Sequence, residues 1–507
     1  MIRSFNGKTP ILVGIAQVEQ REDDLQAAKE PLDLMLEAVG QAGIDCGNPA
    51  ILQAADSVRV IRGMWAYANP ARIVAEQIGV PNAQTGLTSL GGNYVQNVTN
   101  RSVLDIQAGR HDIIVVTGAE CGRTQARATK AKIKLDWAPV WAPPGGSPQG
   151  AEPPSDPPEL FIGSHKVTRH EAELKRGIER PVQFYPMFEV ALRYANRETV
   201  DEHLERISTL WEGFSQVASD NPHGWIRTPM SAEEIRTPSP ANRPVSFPYT
   251  KFMNSNNSVD QGAALILTSV GTARRLGIPE TRWVYPQAGT EAWDHLYVSE
   301  RDNLYTSPAI RLAGKRVLEL SGIKADDLDF IDLYSCFPAA VQVAAREIGI
   351  PFDRRLTVTG GLTFAGGPQG NYVMHAIARM AELLRDNPGS RGLVTANGGL
   401  LTKHALCVYS SQPPEAPFQW ADLQTEADDM PKRRVRVDHD GEATIESYVV
   451  MYGPDGPNVA HTACLLADGS RTWANICDRE VIEAMLKEEF CGRKGRIDGA
   501  GTITLKG

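Results

Sequence analysis

Apolar residues recur along the chain in two rhythms. Pro10-Ile-Leu-Val-Gly-Ile-Ala16 is an unbroken apolar run between polar flanks, the mark of a strand buried on both faces. Leu32, Met35, Leu36 and Val39 then follow at helical spacing, and Gly43 closes the run. A strand at Ser57–Ile61, helices at about Pro70–Ile78 and Asn93–Ala108, and the apolar strand His111–Thr117 come next. This alternation predicts a parallel or mixed sheet covered by helices, closed by a strand at Ala263–Thr268. From about Thr281 the rhythm returns. Helices are predicted at Ala309–Ser321, Ala339–Ile348 and Asn371–Arg385, and strands at Leu328–Leu333, Gly392–Thr395 and Ala405–Tyr409.

The return is an internal duplication. Gly86-Leu-Thr-Ser-Leu-Gly-Gly-Asn-Tyr-Val95 reads against Gly361-Leu-Thr-Phe-Ala-Gly-Gly-Pro-Gln-Gly-Asn-Tyr-Val373. Upstream, Ala75-Glu-Gln-Ile-Gly-Val-Pro81 reads against Ala345-Arg-Glu-Ile-Gly-Ile-Pro351, and Gln41-Ala-Gly-Ile44 against Leu320-Ser-Gly-Ile323. The order is kept at nearly constant offsets, so two equivalent half-domains are predicted. Each puts a glycine turn directly before a helix. Backbone can approach a ligand closely there, and the helix start directs unpaired N–H groups at it.

Two segments break the duplication. Between about residues 126 and 251 the alternation stops, and Pro139, Pro143, Pro144, Pro148, Pro153, Pro154, Pro157 and Pro158 impose an extended loop before helices at about Val182–Asn196 and Val200–Asp220. An insertion over a rigid α/β core commonly walls a binding site. From Pro417, the alternating Ala443–Met451, the turn Gly453-Pro-Asp-Gly-Pro457, a strand at Thr462–Ala467 and a helix at Val481–Glu489 predict a small, separable β-barrel. The expected division is 1–275 with an insert at about 120–251, then 276–415, then 416–507.

Composition narrows the function. The 507 residues carry 52 Lys+Arg against 61 Asp+Glu, a net charge of −9, and the segment from Pro417 carries 11 against 16, which argues against nucleic acid as a partner. No apolar run reaches the roughly 18 residues of a membrane span, and Met1–Gly7 lacks a signal-peptide core, so a cytoplasmic location is expected. Seven scattered cysteines without a CxxC pair read as reduced thiols. No zinc-finger spacing, HExxH, GxSxG or P-loop occurs, so neither a metal nor a tightly bound cofactor is expected.

The duplicated glycine turns, the insertion and Gly360-Gly-Leu…Gly366-Gly-Pro368 resemble the thiolase superfamily, in its sterol-carrier-protein-type, acetyl-CoA acetyltransferase-like branch. The added C-terminal segment resembles the thiolase-like protein type 1 class. The resemblance implies a duplicated five-layer α-β-α-β-α fold with an OB-like C-terminal barrel, as a monomer or homodimer. It also implies a coenzyme A thioester, as substrate or ligand, between the halves and beneath the insertion. In that family a nucleophilic cysteine opens the third helix; here the place is Gly92, flanked by Gly91 and Asn93. The activating histidine of Gly-His-Pro becomes Gly367, the region of the second cysteine reads Ala396-Asn397-Gly398-Gly399, and His-Asp-Cys-Phe becomes Tyr334-Ser335-Cys336-Phe337. Covalent thiolysis has lost its nucleophile.

A cysteine-less fold with tyrosine in that motif resembles the steroid side-chain aldolases, which work with an OB-fold partner of the DUF35 type. The second tyrosine expected of them is replaced by Asn256 or Asn257. The resemblance makes Tyr334, His404 and Asn397 the catalytic candidates, and Gly91, Gly92, Asn93, Gly366, Gly367, Asn371 and Asn257 the ligand-binding ones. As a base, Tyr334 needs its pKa lowered, and the helix start after Gly370 or Lys403 is the candidate neighbour. Cys336 reads as a small buried hydrophobe and His375 as structural. Three functions stay open: retro-aldol cleavage of a β-hydroxyacyl-CoA, a silent acyl-CoA-binding or carrier protein, and acyl transfer by another route.

Overall fold

The computed structural model describes residues 7–137, 156–164, 166 and 168–505. Most of the proline-rich loop expected at 137–158 lies outside them.

The first half runs β1 (Pro10–Glu19), α1 (Pro31–Asp45), β2 (Ser57–Val60), α2 (Pro70–Gln77), β3 (Gln84–Thr88), α3 (Tyr94–Gln107) and β4 (Ile113–Cys121). The insertion adds α4 (Gly122–Ala131), β5 (Leu160–Ile162), α5 (Glu171–Leu174), α6 (Pro181–Asn196), α7 (Val200–Asp220), α8 (Ala232–Arg236), β6 (Pro244–Phe247) and β7 (Tyr249–Thr250). Strand β8 (Asp260–Ser269) and helix α9 (Val270–Arg275) close that half. The second half holds β9 (Tyr285–Trp293), α10 (Pro308–Ser321), β10 (Phe330–Asp332), α11 (Pro338–Ile348), α12 (Gly361–Phe364), α13 (Tyr372–Asp386), β11 (Arg391–Gly398), β12 (Lys403–Ser410), β13 (Gln419–Asp422) and α14 (Gln424–Asp428). The C-terminal part holds β14 (Gly441–Gly453), β15 (Gly456–Leu465), β16 (Arg471–Ile476), α15 (Arg479–Met485), β17 (Lys494–Ile497) and β18 (Ile503–Leu505).

Sequence reading missed β3 and β9, and it gave Leu328–Leu333 and Val481–Glu489 more length than β10 and α15 have. Strand β3 carries Gln-Thr-Gly-Leu-Thr, too polar to read as a buried strand, yet it lies in the sheet between β2 and β5. Strand β9 hides for the same reason, with Gln287, Gly289, Thr290 and Glu291 in its span.

The first sheet has the order β1-β8-β4-β2-β3-β5 and the second β10-β11-β12-β9-β13. Helices α3 and α13 lie between the sheets, α1 and α2 pack outside the first, and α10 outside the second, which gives the five layers expected. Helix α3, between two sheets, leaves Arg101 alone exposed, so its buried polar residues are spent on bonds. Gln96 bonds Asn100 and the Tyr409 hydroxyl at 2.9 and 3.0 Å, and Asn100 donates to Leu406 O. Arg59 of β2, 1% exposed, pairs with Asp105 of α3 at 2.5 Å. Strand β5 covers the edge of β3, whose free N–H and C=O groups would otherwise offer a pairing surface.

The C-terminal sheet has the order β16-β15-β14-β17-β18, and a parallel bridge between Asn475 and Thr502 brings its two ends together. This small barrel, expected to be separable, is bonded into the rest of the chain. Strand β6 of the insertion pairs with β14, and Val449, Ala463 and Trp473 belong to the main hydrophobic core. The fully buried Arg471 grips Glu446 through two 2.6 Å bonds and also donates to Val298 O and Ser299 O of the second half. Alternation in β14 to β16 correctly suggested a barrel, but gave no sign that its inner polar residues reach across a domain seam. Replacing Arg471 with alanine leaves Glu446 and the carbonyls of Val298, Ser299, Arg301 and Asp302 without their donor. The expected loss is about 3–5 kcal/mol in chemical denaturation, and a variant within about 0.5 kcal/mol of wild type would show the seam to be dispensable.

Candidate functional site

The two glycine turns meet between the sheets. A Cβ at Gly370 would lie 3.5 Å from Gly91 O, so the two halves touch backbone to backbone there. Beside this contact is a cavity of about 460 Å³. Its floor is Gly91, Gly92, Gln369 and Gly370. Its walls are Tyr334, Cys336, Asn397 and Gly398 of the second half, Arg180 just before α6 and Tyr185 within it, and Asn254 and Asn257 of the segment before β8.

The space above Gly92 is already taken. A Cβ there would stand 2.5 Å from Asn397 O and 2.8 Å from Tyr334 Cζ, with Tyr334 Oη closer still. The phenol therefore occupies the volume that any side chain at position 92 would need. Tyr334 is held by a 2.9 Å bond from its N–H to Thr395 Oγ1 and by an edge-on contact with Tyr372, ring centroids 5.6 Å apart. Tyr372 in turn donates to Asp332 at 3.0 Å. Among the described residues, no hydrogen bond engages the Tyr334 hydroxyl.

Electrostatics decide what this phenol can do. Burial pushes it above the usual phenol range, and the nearby Cys336 adds to the shift. The expected lowering is absent. Lys403 Nζ sits over the rings of Trp293 and Tyr94, at 4.4 and 5.7 Å, and burial works against its own charge. Tyr334 is thus a neutral hydrogen-bond donor at physiological pH. Burial likewise pushes the Cys336 thiol up to about 12, although Tyr185 and Asn397 bond its sulfur. No carboxylate or imidazole lines the cavity among the described residues; its one charged group is Arg180, at the rim.

The sequence candidates divide. Gly91, Gly92, Tyr334, Asn397 and Asn257 come together on the cavity. Asn397 donates to Tyr185 Oη at 2.9 Å, and its own Oδ1, like that of Asn254, is buried without a donor. Gly367 lies just behind the lining, and Asn257 Oδ1 lies 3.2 Å from where its Cβ would be, over the place of the family's histidine. Gly366, at φ +107°, packs on Gln261 instead of the cavity.

Three further candidates are corrected. His404 alternates with Lys403 along β12 and so faces the outer side of the second sheet. There it stands 3.5 Å from Asp294, at a small closed void behind Tyr334 and Asn397. Asn371 donates to Gly118 O at 2.8 Å and reaches neither turn's ligand face. Asn93 bonds Asn97 and presses on Gly398, bordering a second cavity of about 400 Å³. Asn371 bonds one half to the other, Asn93 only packs across on Gly398 with its Oδ1 buried and unpartnered, and neither caps its helix. His375, bonded to Gln17 and lowered to about 3 by burial, is structural as expected.

Sequence reading missed Tyr185, Arg180, Asn254 and Gln369, and it missed that Cys336 meets the cavity. Tyr185 follows Pro181 at the start of a helix of the insertion, so the only available signal was that insertions wall binding sites.

Comparison with known proteins bears on the fold. Residues 422–502 match the family described as thiolase-like protein type 1 additional C-terminal domain. A monomeric SCP2-thiolase like protein type 1 from Mycobacterium smegmatis superposes with a TM-score of 0.82 at 29% identity, covering 99% of this chain and 100% of that one. The Ltp2-ChsH2(DUF35) aldolase superposes at 0.58 with 18% identity, over 80% of this chain and 98% of that one. Sterol carrier protein 2 of Oryctolagus cuniculus is 22% identical over 259 residues, 45% of this chain, and the match spans about half the length of that relative, 46%. The chain has a thiolase-like fold with an additional C-terminal sheet domain. Among the described residues, no helix is long and apolar enough to cross a membrane.

Gly92→Cys should not restore thiolysis. Its Cβ collides with Tyr334, at a cost of about 1–3 kcal/mol from overpacking, and Gly92→Cys/Tyr334→Ala should recover part of that loss. A Gly92→Cys protein that melts with wild type and accumulates an acyl-enzyme would overturn the steric account.

Proposed function

We propose that the cavity binds the acyl-thioester end of a coenzyme A ester and that Tyr334 acts on it as a neutral proton donor, in carbon–carbon chemistry without a covalent acyl-enzyme. The observation that carries this reading is the unpartnered Tyr334 hydroxyl in the volume above Gly92, at the opening of α3. A thioester oxygen placed there can accept from the phenol. The donorless Asn254 and Asn397 amide oxygens suit a ligand that brings hydroxyl hydrogens, which favours a β-hydroxyacyl group.

Retro-aldol cleavage fits these groups. The bond between Cα and Cβ breaks, its electron pair passes into the thioester enolate, and the Cβ hydroxyl becomes a carbonyl. The hydroxyl proton goes to Tyr334 Oη as the phenol's own proton passes along its hydrogen bond to the thioester oxygen, and the enol so formed then moves that proton to Cα, so the step closes with no net proton gained or lost. A shortened acyl-CoA and a ketone or aldehyde result. A base of ordinary carboxylate or imidazole type is not required, in keeping with its absence from the described lining. The likeness to an aldolase complex supports this direction at the level of fold, and we read the C-terminal barrel as an OB-like counterpart of a DUF35 partner.

That same absence also favours a second reading, a catalytically silent acyl-CoA binder. Acyl transfer through a thioester enzyme is the least supported, since Gly92 has no nucleophile and the Cys336 thiol is pushed to about 12.

Tyr334→Phe separates the readings. With a β-hydroxyacyl-CoA as substrate, retro-aldol chemistry predicts a fall of about 10²–10⁴ in kcat with affinity nearly unchanged. Equal activity in the two proteins would remove Tyr334 from the reaction, and binding without turnover in wild type would select the silent binder.

A further inference from the structure

Gln183, in the first turn of α6, spends all its hydrogen-bonding capacity. Its Oε1 accepts from Glu179 N and Arg180 N, each at 2.9 Å, and its Nε2 donates to Gly177 O at 2.7 Å. The remaining N–H faces His461 Nε2 of the barrel at 3.1 Å. On the far side of that imidazole, Nδ1 lies 2.8 Å from Asn475 Oδ1. Asn475 Nδ2 donates to Arg176 O at 3.2 Å, which fixes its Oδ1 as the acceptor. His461 Nδ1 therefore carries the hydrogen, and Nε2 offers a lone pair to Gln183. Each donor in this chain meets an acceptor. The imidazole is 5% exposed, and burial favours its neutral form.

The clasped segment, residues 177–180, ends in Arg180. Its guanidinium lies exposed at the cavity rim and makes no ion pair among the described residues. We propose that His461 is a positioning residue: through Gln183 it sets the backbone of Arg180 so that the guanidinium meets the phosphate groups of a coenzyme A thioester entering the cavity. The barrel thereby contributes to ligand recognition without touching the ligand. This inference rests on the acyl-CoA reading of the cavity.

The test compares octanoyl-CoA with octanoyl-pantetheine, which has the same thioester but no phosphates, by titration calorimetry on the full chain. Arg180→Ala should weaken octanoyl-CoA binding about tenfold and leave octanoyl-pantetheine unchanged. His461→Ala should show the same selectivity at about fivefold, and His461→Gln, which retains one donor and one acceptor, should restore most of it. Combining His461→Ala with Arg180→Ala should cost no more than Arg180→Ala alone. If His461→Ala does not fold, Asn475→Leu, which removes the acceptor that fixes the tautomer, should give the same selective loss. Equal weakening toward both probes, or none, would overturn the positioning role. Failure of wild type to bind octanoyl-CoA would overturn the cavity reading first, and this inference with it.

Discussion

Two groups cannot share the volume above Gly92, and in this protein the phenol of Tyr334 has it. The rest of the site is arranged around that exclusion. Because residue 92 has no side chain, the α3 opening presents backbone alone, and the second half places the Tyr334 phenol over it across the interface. Because the phenol is buried among Tyr372, Asn397 and Cys336, ionising it is costly, which makes it a donor. The same low-polarity surroundings keep the Cys336 thiol protonated. A pocket of this kind can hold and polarise a carbonyl, but it has no ready nucleophile.

Joining the halves is a separate task, carried by polar side chains that sequence reading placed at the ligand. Asn93 and Asn371 stand at equivalent positions of the duplication, and each reaches a glycine on a strand of the opposite half. Gly398 and Gly118 have no side chain because an asparagine fills that place. The paired turns therefore interlock by packing, with Asn371 bonding across, while the cavity's polar lining includes residues that the duplication does not repeat: Tyr334, Asn397, Tyr185 and Arg180. Duplication explains the scaffold, and departures from it mark the cavity.

Much of the architecture was legible in the chain, since apolar runs and repeated glycine turns obey local rules. Strands β3 and β9 were not, because their polar residues are satisfied by neighbours distant in sequence. The site was legible where a single residue departs from a family motif, as at Gly92 and Tyr334. It was illegible where strand alternation decides a direction, as for His404, or where burial reverses an expected pKa shift, as for Tyr334. The barrel illustrates a third limit. Its strands follow a local pattern, but Arg471 and His461 act through contacts with segments more than 150 residues away.

The central claim is that Tyr334 meets the thioester oxygen where a nucleophile would otherwise stand. The most direct measurement is a crystal structure of the protein with a β-methoxyacyl-CoA analogue whose thioester sulfur is replaced by methylene, so that neither retro-aldol cleavage nor acyl transfer can consume it. The account predicts the carbonyl oxygen within about 2.5–3.0 Å of Tyr334 Oη, with no bond between ligand and protein. A carbonyl turned away from Tyr334, a ligand lodged outside the cavity, or a covalent link to Cys336 would contradict it.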